Sequence, residues 1–145
     1  MLSEYILALL KVAKEEKAEV TPKKFQKIFF LLEKEKGVNL NLDFEPYLFG
    51  PYSEKLQKAM YELADKGLIK INYEDVIDPF AGFLVGRAET YELVKDTEIN
   101  ISNDVLAFFR EWVKKDKNEI LRYVYEKYRE YHDVAKIKRR LLGHD

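Results

Sequence analysis

Residues 53–73 read SEKLQKAMYELADKGLIKINY, a helix that passes directly into a strand. Ser53 is a typical N-cap, and an apolar stripe follows it at helical spacing. Gly67 ends the helix because glycine readily adopts the left-handed conformation found after a helix. The apolar residues of 68–73 predict a strand, and residues 90–94 predict its antiparallel partner.

Two further helices are expected ahead of this unit. Periodic apolar residues predict the first helix over about residues 2–16. Thr21 caps the second helix, which has Pro22 at its first position, and Gly37 ends it. In residues 40–53, apolar and polar side chains alternate before two turns that contain proline, which predicts a short strand and a tight turn. We expect that strand to add an edge to the sheet of the later hairpin.

The C-terminal third of the chain is predicted to be helical. A broad apolar face follows a cap at Ser102 or Asn103. Asp116 caps the next helix, whose apolar stripe extends as far as Tyr131. A last helical segment covers residues 134–142 and carries most of its polar face as lysine and arginine.

The order of these elements predicts an α+β, mainly α fold. Two helices, a third helix and a hairpin describe a winged-helix-like core, here residues 1–97 with a small antiparallel β-hairpin. Residues 98–145 form a C-terminal helical extension that we expect to pack on this core, which makes residues 1–145 a single domain. Residues 74–87 contain a proline and two glycines, so we expect a long loop between the two strands of the hairpin.

Composition excludes several classes of protein. The chain has 145 residues, no cysteine and a net charge of -1, which rules out disulfides, thiolate metal sites and thiol catalysis. No apolar run has the length of about 20 residues that a membrane-spanning helix needs, so we expect a cytoplasmic protein without membrane contact. Charged residues make up 35% of the chain, a weak indication of a thermophilic source.

Two segments resemble a known family. Residues 24–32 read KFQKIFFLL, and residues 47–53 read YLFGPYS. Together they resemble the motif of the Panacea, or SocA/GepA-like, antitoxin-associated domain, and more closely the uncharacterised YwgA-like proteins. Residues 120–128, ILRYVYEKY, are similar to the helical tail of the second group. The resemblance implies a non-enzymatic regulatory module connected with toxin neutralisation or gene control, and it implies no catalytic residue.

Residues suited to catalysis or metal binding are sparse. The serines lie where helices are expected to begin, so capping accounts for them. His132 and His144 are twelve positions apart and lack a third ligand at helical spacing. The glycines occur singly, without a phosphate-binding or dinucleotide-binding motif. We therefore expect no enzyme activity, no metal and no cofactor.

Charge by segment indicates where the chain could bind duplex DNA. Residues 22–37 carry five lysines against two glutamates, whereas residues 71–104 carry eight acidic residues against two basic ones. An acidic hairpin is a poor partner for phosphate, so binding is expected through the second and third helices and the basic C-terminal end. The alternative is that these basic residues do not bind DNA and instead interact favourably with the dipole at the C-terminal end of their helix. The residues predicted to contact DNA are Lys23, Lys24, Lys27, Lys55, Gln57, Lys58, Lys138, Arg139 and Arg140.

An apolar block inside the acidic hairpin region suggests a second function. Residues 76–85 either fold back onto the core or form an exposed contact for another protein. The residues predicted to bind a protein partner are Phe80, Phe83, Leu84 and, from the C-terminal helices, Tyr123. The first hypothesis is thus a winged-helix-type DNA-binding transcription regulator. The alternative is an antitoxin-like or adaptor protein that binds a toxin or regulator, and a homodimer is compatible with either.

Overall fold

The computed structural model describes residues 1–143 and has an α+β architecture. This part of the chain contains six helices and two separate antiparallel hairpins. The elements in chain order are α1 (Leu2–Glu16), α2 (Pro22–Lys36), β1 (Glu45–Tyr47), β2 (Gly50–Tyr52), α3 (Glu54–Asp65), β3 (Ile69–Ile77), β4 (Leu84–Leu93), α4 (Asn103–Val113), α5 (Lys117–Lys127) and α6 (Arg129–Leu141). Within residues 1–143, no helix is both long enough and apolar enough to cross a membrane.

The predicted caps of α2 and α3 are confirmed. Thr21 Oγ1 accepts a hydrogen bond from the backbone N–H of Lys24, and Ser53 Oγ accepts one from the N–H of Leu56. Gly37 ends α2 with a φ of 65°, in the left-handed region where glycine has no Cβ penalty. These contacts satisfy backbone groups that the helix itself leaves without partners.

The core is built around α2, whose aromatic side chains contact elements from both halves of the chain. The Phe25 ring lies 5.5 Å from the ring of Tyr91 on β4. The Phe29 ring lies 5.7 Å from the ring of Phe109 on α4, and both phenylalanines are fully buried. Helix α4 also packs on α1, so the C-terminal helices cover the apolar faces of the first two helices.

The short strand predicted ahead of α3 is misplaced. Asn41 and Asp43 adopt φ values of 54° and 53°, so residues 40–44 alternate in sequence but do not form an extended strand. The strands lie later, as β1 and β2, and pair with each other across Pro46 and Pro51. Because proline has no N–H to donate, this hairpin makes a poor sheet edge, and it does not join the β3–β4 sheet as expected.

The long loop predicted for residues 74–87 is also wrong, since most of it is strand. The β3–β4 ladder continues to the pair Ile77 and Leu84, with one irregularity between Val76 and Ile77. Only residues 78–83 form the turn. Its proline and glycine are compatible with the hairpin because they lie at the tip, while branched aliphatic residues extend the ladder on either side.

The third correction concerns the C-terminal helices. The helix predicted to extend as far as Tyr131 ends at Lys127, and Tyr128 separates it from α6 with a φ of -121° and a ψ of 70°. Both tyrosine rings pack edge-on against Phe30, at centroid distances of 5.1 Å for Tyr128 and 4.8 Å for Tyr131. The break thus places both rings against α2.

Candidate functional site

Two lysines expected to contact DNA lie in the interior. Lys24 is 7% exposed, and its Nζ donates a hydrogen bond of 2.5 Å to the carbonyl oxygen of Val113, the last residue of α4. Lys27 is 3% exposed, and burial, reinforced by the charge of Lys23, lowers its pKa to about 7. The packing thus leaves little of either side chain accessible to a DNA duplex.

Gln57 is also among the residues predicted to contact DNA, but it is buried as part of a polar network. Gln26 accepts a hydrogen bond from the N–H of Ser53 at 2.8 Å and donates one to the Ser53 carbonyl at 3.0 Å. The Gln57 amide donates to the Tyr91 hydroxyl at 2.8 Å. Burial raises the pKa of Tyr91, so the hydroxyl stays protonated.

This network joins α2, α3 and β4, and sequence reasoning missed it. Gln26 and Gln57 are the two glutamines of the chain, and both are buried. A glutamine on the apolar face of a helix could have indicated this network. A buried amide needs hydrogen-bond partners for its donors and its acceptor.

The remaining basic residues of the first three helices are more accessible. The Lys23 ammonium lies 4.1 Å from the centroid of the Phe49 ring, and burial lowers its pKa. Lys55 is exposed but forms an ion pair with Asp43. Lys58 is exposed on α3. Of the six residues predicted on α2 and α3, Lys23, Lys55 and Lys58 are therefore exposed.

The basic end of the chain holds the β1–β2 hairpin in place. Lys138 Nζ donates to the carbonyl oxygen of Pro46 at 2.9 Å and lies 5.4 Å from the ring of Tyr47. Arg139 donates to the carbonyl oxygen of Leu48 at 3.1 Å. Arg140 is exposed on α6. Contacts with the hairpin thus account for two of the three basic residues predicted to bind phosphate here.

Tyr123, which was predicted to bind a protein partner, is partly buried and makes internal contacts. Its hydroxyl donates to Glu35 Oε2 at 2.8 Å, and its ring lies 4.9 Å from that of Trp112. Burial would raise the pKa of Glu35, but hydrogen bonds from Lys127, Tyr123 and Tyr128 outweigh it and lower the pKa. The hydrogen bond between Lys127 and Glu35 also raises the pKa of Lys127. This cluster ties α5 to the end of α2.

The distal half of the β3–β4 hairpin projects from the body of the protein. Every residue from 73 to 88 is exposed except Asp78, which is partly exposed. Phe80 is 99% exposed and Phe83 is 61% exposed. We call residues 76–85 the hairpin tip; its large exposed apolar side chains are Val76, Ile77, Phe80, Phe83, Leu84 and Val85.

The turn of the hairpin tip is ordered by its own hydrogen bonds. Asp78 Oδ1 accepts from the N–H groups of Phe80 and Ala81, at 2.8 Å and 2.9 Å. These bonds lower the pKa of Asp78. The tip is therefore a preformed structure that presents its apolar side chains outward, and of the two alternatives for residues 76–85 the exposed one is observed.

Histidines and carboxylates form no metal site within residues 1–143. His132 Nδ1 lies 3.0 Å from Asp133 Oδ1, next to it in the chain. His144, the other histidine considered from the sequence, lies outside the described residues. No family model, curated protein or solved structure matches the chain.

Proposed function

We propose that the protein is a regulatory module that binds another protein through the hairpin tip. The observation that carries this proposal is the exposure of Phe80 and Phe83 at the end of a projecting, hydrogen-bonded hairpin. Exposed apolar patches on ordered elements of soluble proteins commonly mark sites of association, since leaving them in water costs free energy. Aromatic side chains are also typical anchors of protein interfaces.

Charge around the tip favours one class of partner. Glu74, Asp75 and Asp78 accompany the apolar residues, and Arg87, the one basic residue between 73 and 88, lies 3.5 Å from Asp75. Electrostatic complementarity favours a protein that has an apolar cleft with a basic rim. An antitoxin-like or adaptor role suits such a surface. The resemblance of residues 24–32 and 47–53 to antitoxin-associated domains is consistent with that role.

Site-specific photo-crosslinking tests the proposal. A photoreactive phenylalanine at position 80 is expected to trap one protein, which is identified by mass spectrometry and purified. Phe80→Asp and Phe83→Asp are then each expected to weaken its binding by about 2 kcal/mol or more, roughly 30-fold, as for buried aromatic anchors. Leu141→Asp is the control, because Leu141 is an exposed apolar residue on α6. Equal binding by both folded tip variants and the control would contradict the proposal.

A second candidate is duplex DNA binding by a winged-helix-like unit. The order α1, α2, α3, β3, β4 and the contacts of α3 with α1 and β3 favour it. In this reading α3 enters the major groove with Lys58 exposed, and the acidic hairpin stays away from phosphate.

Gel shifts at several salt concentrations test this second candidate. Lys55→Glu combined with Lys58→Glu is expected to weaken binding by about tenfold or more and to reduce its salt dependence. Lys136→Glu on α6 provides a control with the same kind of charge change. Groove binding by α3 would be ruled out if the α3 variant and the control weakened DNA binding equally. It would also be ruled out if DNA binding did not depend on salt.

A further inference from the structure

The start of α2 and the β1–β2 hairpin enclose a small pocket of about 120 Å³. Aromatic rings of the hairpin form much of its wall, from Tyr47, Phe49 and Tyr52. Lys23 and Lys27 are the charged residues that line it, and no acidic residue of the described part of the chain does. The pocket is thus apolar over most of its surface and positive at one side.

Lys27 is the most unusual member of this lining. It is 3% exposed, and its side chain makes no hydrogen bond or ion pair within residues 1–143. The hairpin backbone covers its stem at Gly50, where a Cβ would lie 3.4 Å from Lys27 Cε, and the φ of 102° there favours glycine. The charge that acts on it is the like charge of Lys23. A buried ammonium without a counter-ion is costly, and an anion would relieve that cost.

The helix end adds a second positive contribution. Pro22 and Lys23 belong to the first turn of α2, which contains no acidic residue, and both line the pocket. The N-terminus of a helix carries a partial positive charge that favours anions. Lys24 shows the contrast, because it is satisfied by a carbonyl at the negative end of α4. The Lys27 ammonium has no such partner among the described residues, and at the start of α2 the Thr21 hydroxyl accepts the N–H of Lys24.

We propose that this pocket binds a small free organic carboxylate, with its carboxylate between the Lys27 and Lys23 amines and its apolar part against the aromatic rings. Charge-assisted hydrogen bonds supply the polar part of recognition. The pocket is slightly smaller than the apolar cavity of about 150 Å³ that is known to hold benzene, so its size suits at most one ring or a short aliphatic chain. Inorganic phosphate fits less well because the apolar walls would strip its hydration without replacement.

Titration calorimetry on the full chain tests this proposal with benzoate as the probe. We expect a Kd of about 0.1–1 mM, which lies within the affinity that so few atoms can supply. Benzamide has the same shape without the charge and is expected to bind about tenfold more weakly or not at all, and so is phosphate. Absence of benzoate binding at millimolar concentrations, or equal binding of benzamide, would overturn the proposal.

Variants assign the binding to the two lysines. Lys27→Met is expected to lower benzoate affinity by about tenfold or more, while Lys58→Met, an exposed site on α3, leaves it within about twofold. Lys23→Met changes a less buried residue and is expected to lower affinity by about threefold or more, so it decides the question should Lys27→Met fail to fold. If the folded Lys27→Met and Lys23→Met variants bound benzoate with unchanged affinity, benzoate would bind outside this pocket and the proposal would be wrong.

Discussion

Burial and the charge of Lys23 lower the pKa of Lys27 to about 7, from an ordinary value of 10.5. Between these two values the unfolded chain binds a proton at Lys27 that the folded protein does not. The free energy of unfolding therefore rises with pH across this window, and below about pH 7 the folded state carries the full cost of the buried charge. Burial raises the pKa values of two tyrosines near it, Tyr52 on β2 and Tyr125 on α5, so both hydroxyls are protonated at neutral pH.

The first prediction is that Lys27→Met stabilises the protein in mild acid. We expect the free energy of unfolding at about pH 6 to rise by about 1–3 kcal/mol, because an apolar side chain replaces an unpaired buried charge. The gain should shrink toward about pH 10, where the wild-type lysine is neutral. Urea denaturation at several pH values measures this, with Lys58→Met as the control. A variant that is less stable than wild type at pH 6 and keeps the wild-type pH slope would contradict the assignment.

Sequence reasoning could identify these polar residues but not their surroundings. Lys24, Lys27 and Gln57 lie in predicted helices, and we expected them to be exposed because their side chains are polar. Their burial depends on Val113, Gly50 and Tyr91, which are distant in the chain and meet them only after packing. Local sequence patterns do not show such long-range contacts. The residues predicted to contact DNA therefore included some that are buried.

Among the elements, the ends of helices are the features that the sequence predicted best. Capping is local, and Thr21, Gly37 and Ser53 act within a few residues of themselves. Strands depend on partners far along the chain, so the proline and glycines of residues 74–87 indicated a long loop, although the ladder continues on both sides of the turn at 78–83. No glycine or proline marks the helix break at Tyr128 in the sequence. The break accompanies the packing of Tyr128 against Phe30.

The β1–β2 hairpin provides a prediction at this scale. Its two strands have three residues each, and α6 supports it from outside through Lys138 and Arg139. Replacing both with methionine removes two hydrogen bonds to backbone carbonyls, and we expect a loss of about 1–2 kcal/mol of stability. Hydrogen exchange should accelerate in residues 45–52 more than elsewhere. Lys136→Met, on an exposed part of α6, is the control; unaltered exchange in the hairpin would show that α6 does not support it.

For the whole molecule, a net charge of -1 conceals an uneven distribution. Residues 71–104 hold most of the negative excess and include the projecting hairpin, whereas Lys23, Lys27, Lys138 and Arg139 gather around the β1–β2 hairpin. The two proposed binding regions therefore differ in sign. The two proposed functions can be tested independently, since neither the tip variants nor the pocket variants alter residues of the other region.

The prediction that residues 1–145 unfold as one domain can be tested through α4. Phe109 on this helix is fully buried against Phe29 of α2, so its contacts join the two halves of the chain. Phe109→Ala is expected to lower the free energy of unfolding by about 3–5 kcal/mol through lost burial and a new cavity. If the halves are one cooperative unit, the shift should be the same by far-UV circular dichroism and by fluorescence of Trp112, the single tryptophan.

Leu106→Ala on the same helix is the matched control, because Leu106 is only partly buried and its truncation should cost much less. Two separated transitions in the Phe109 variant, with Trp112 fluorescence lost before the helical signal, would mean that α4–α6 unfold apart from residues 1–97. That outcome would replace the single domain by a core and a detachable extension. Coincident transitions are expected because α4 packs on both α1 and α2, and α5 packs on α2, so the two halves share buried faces.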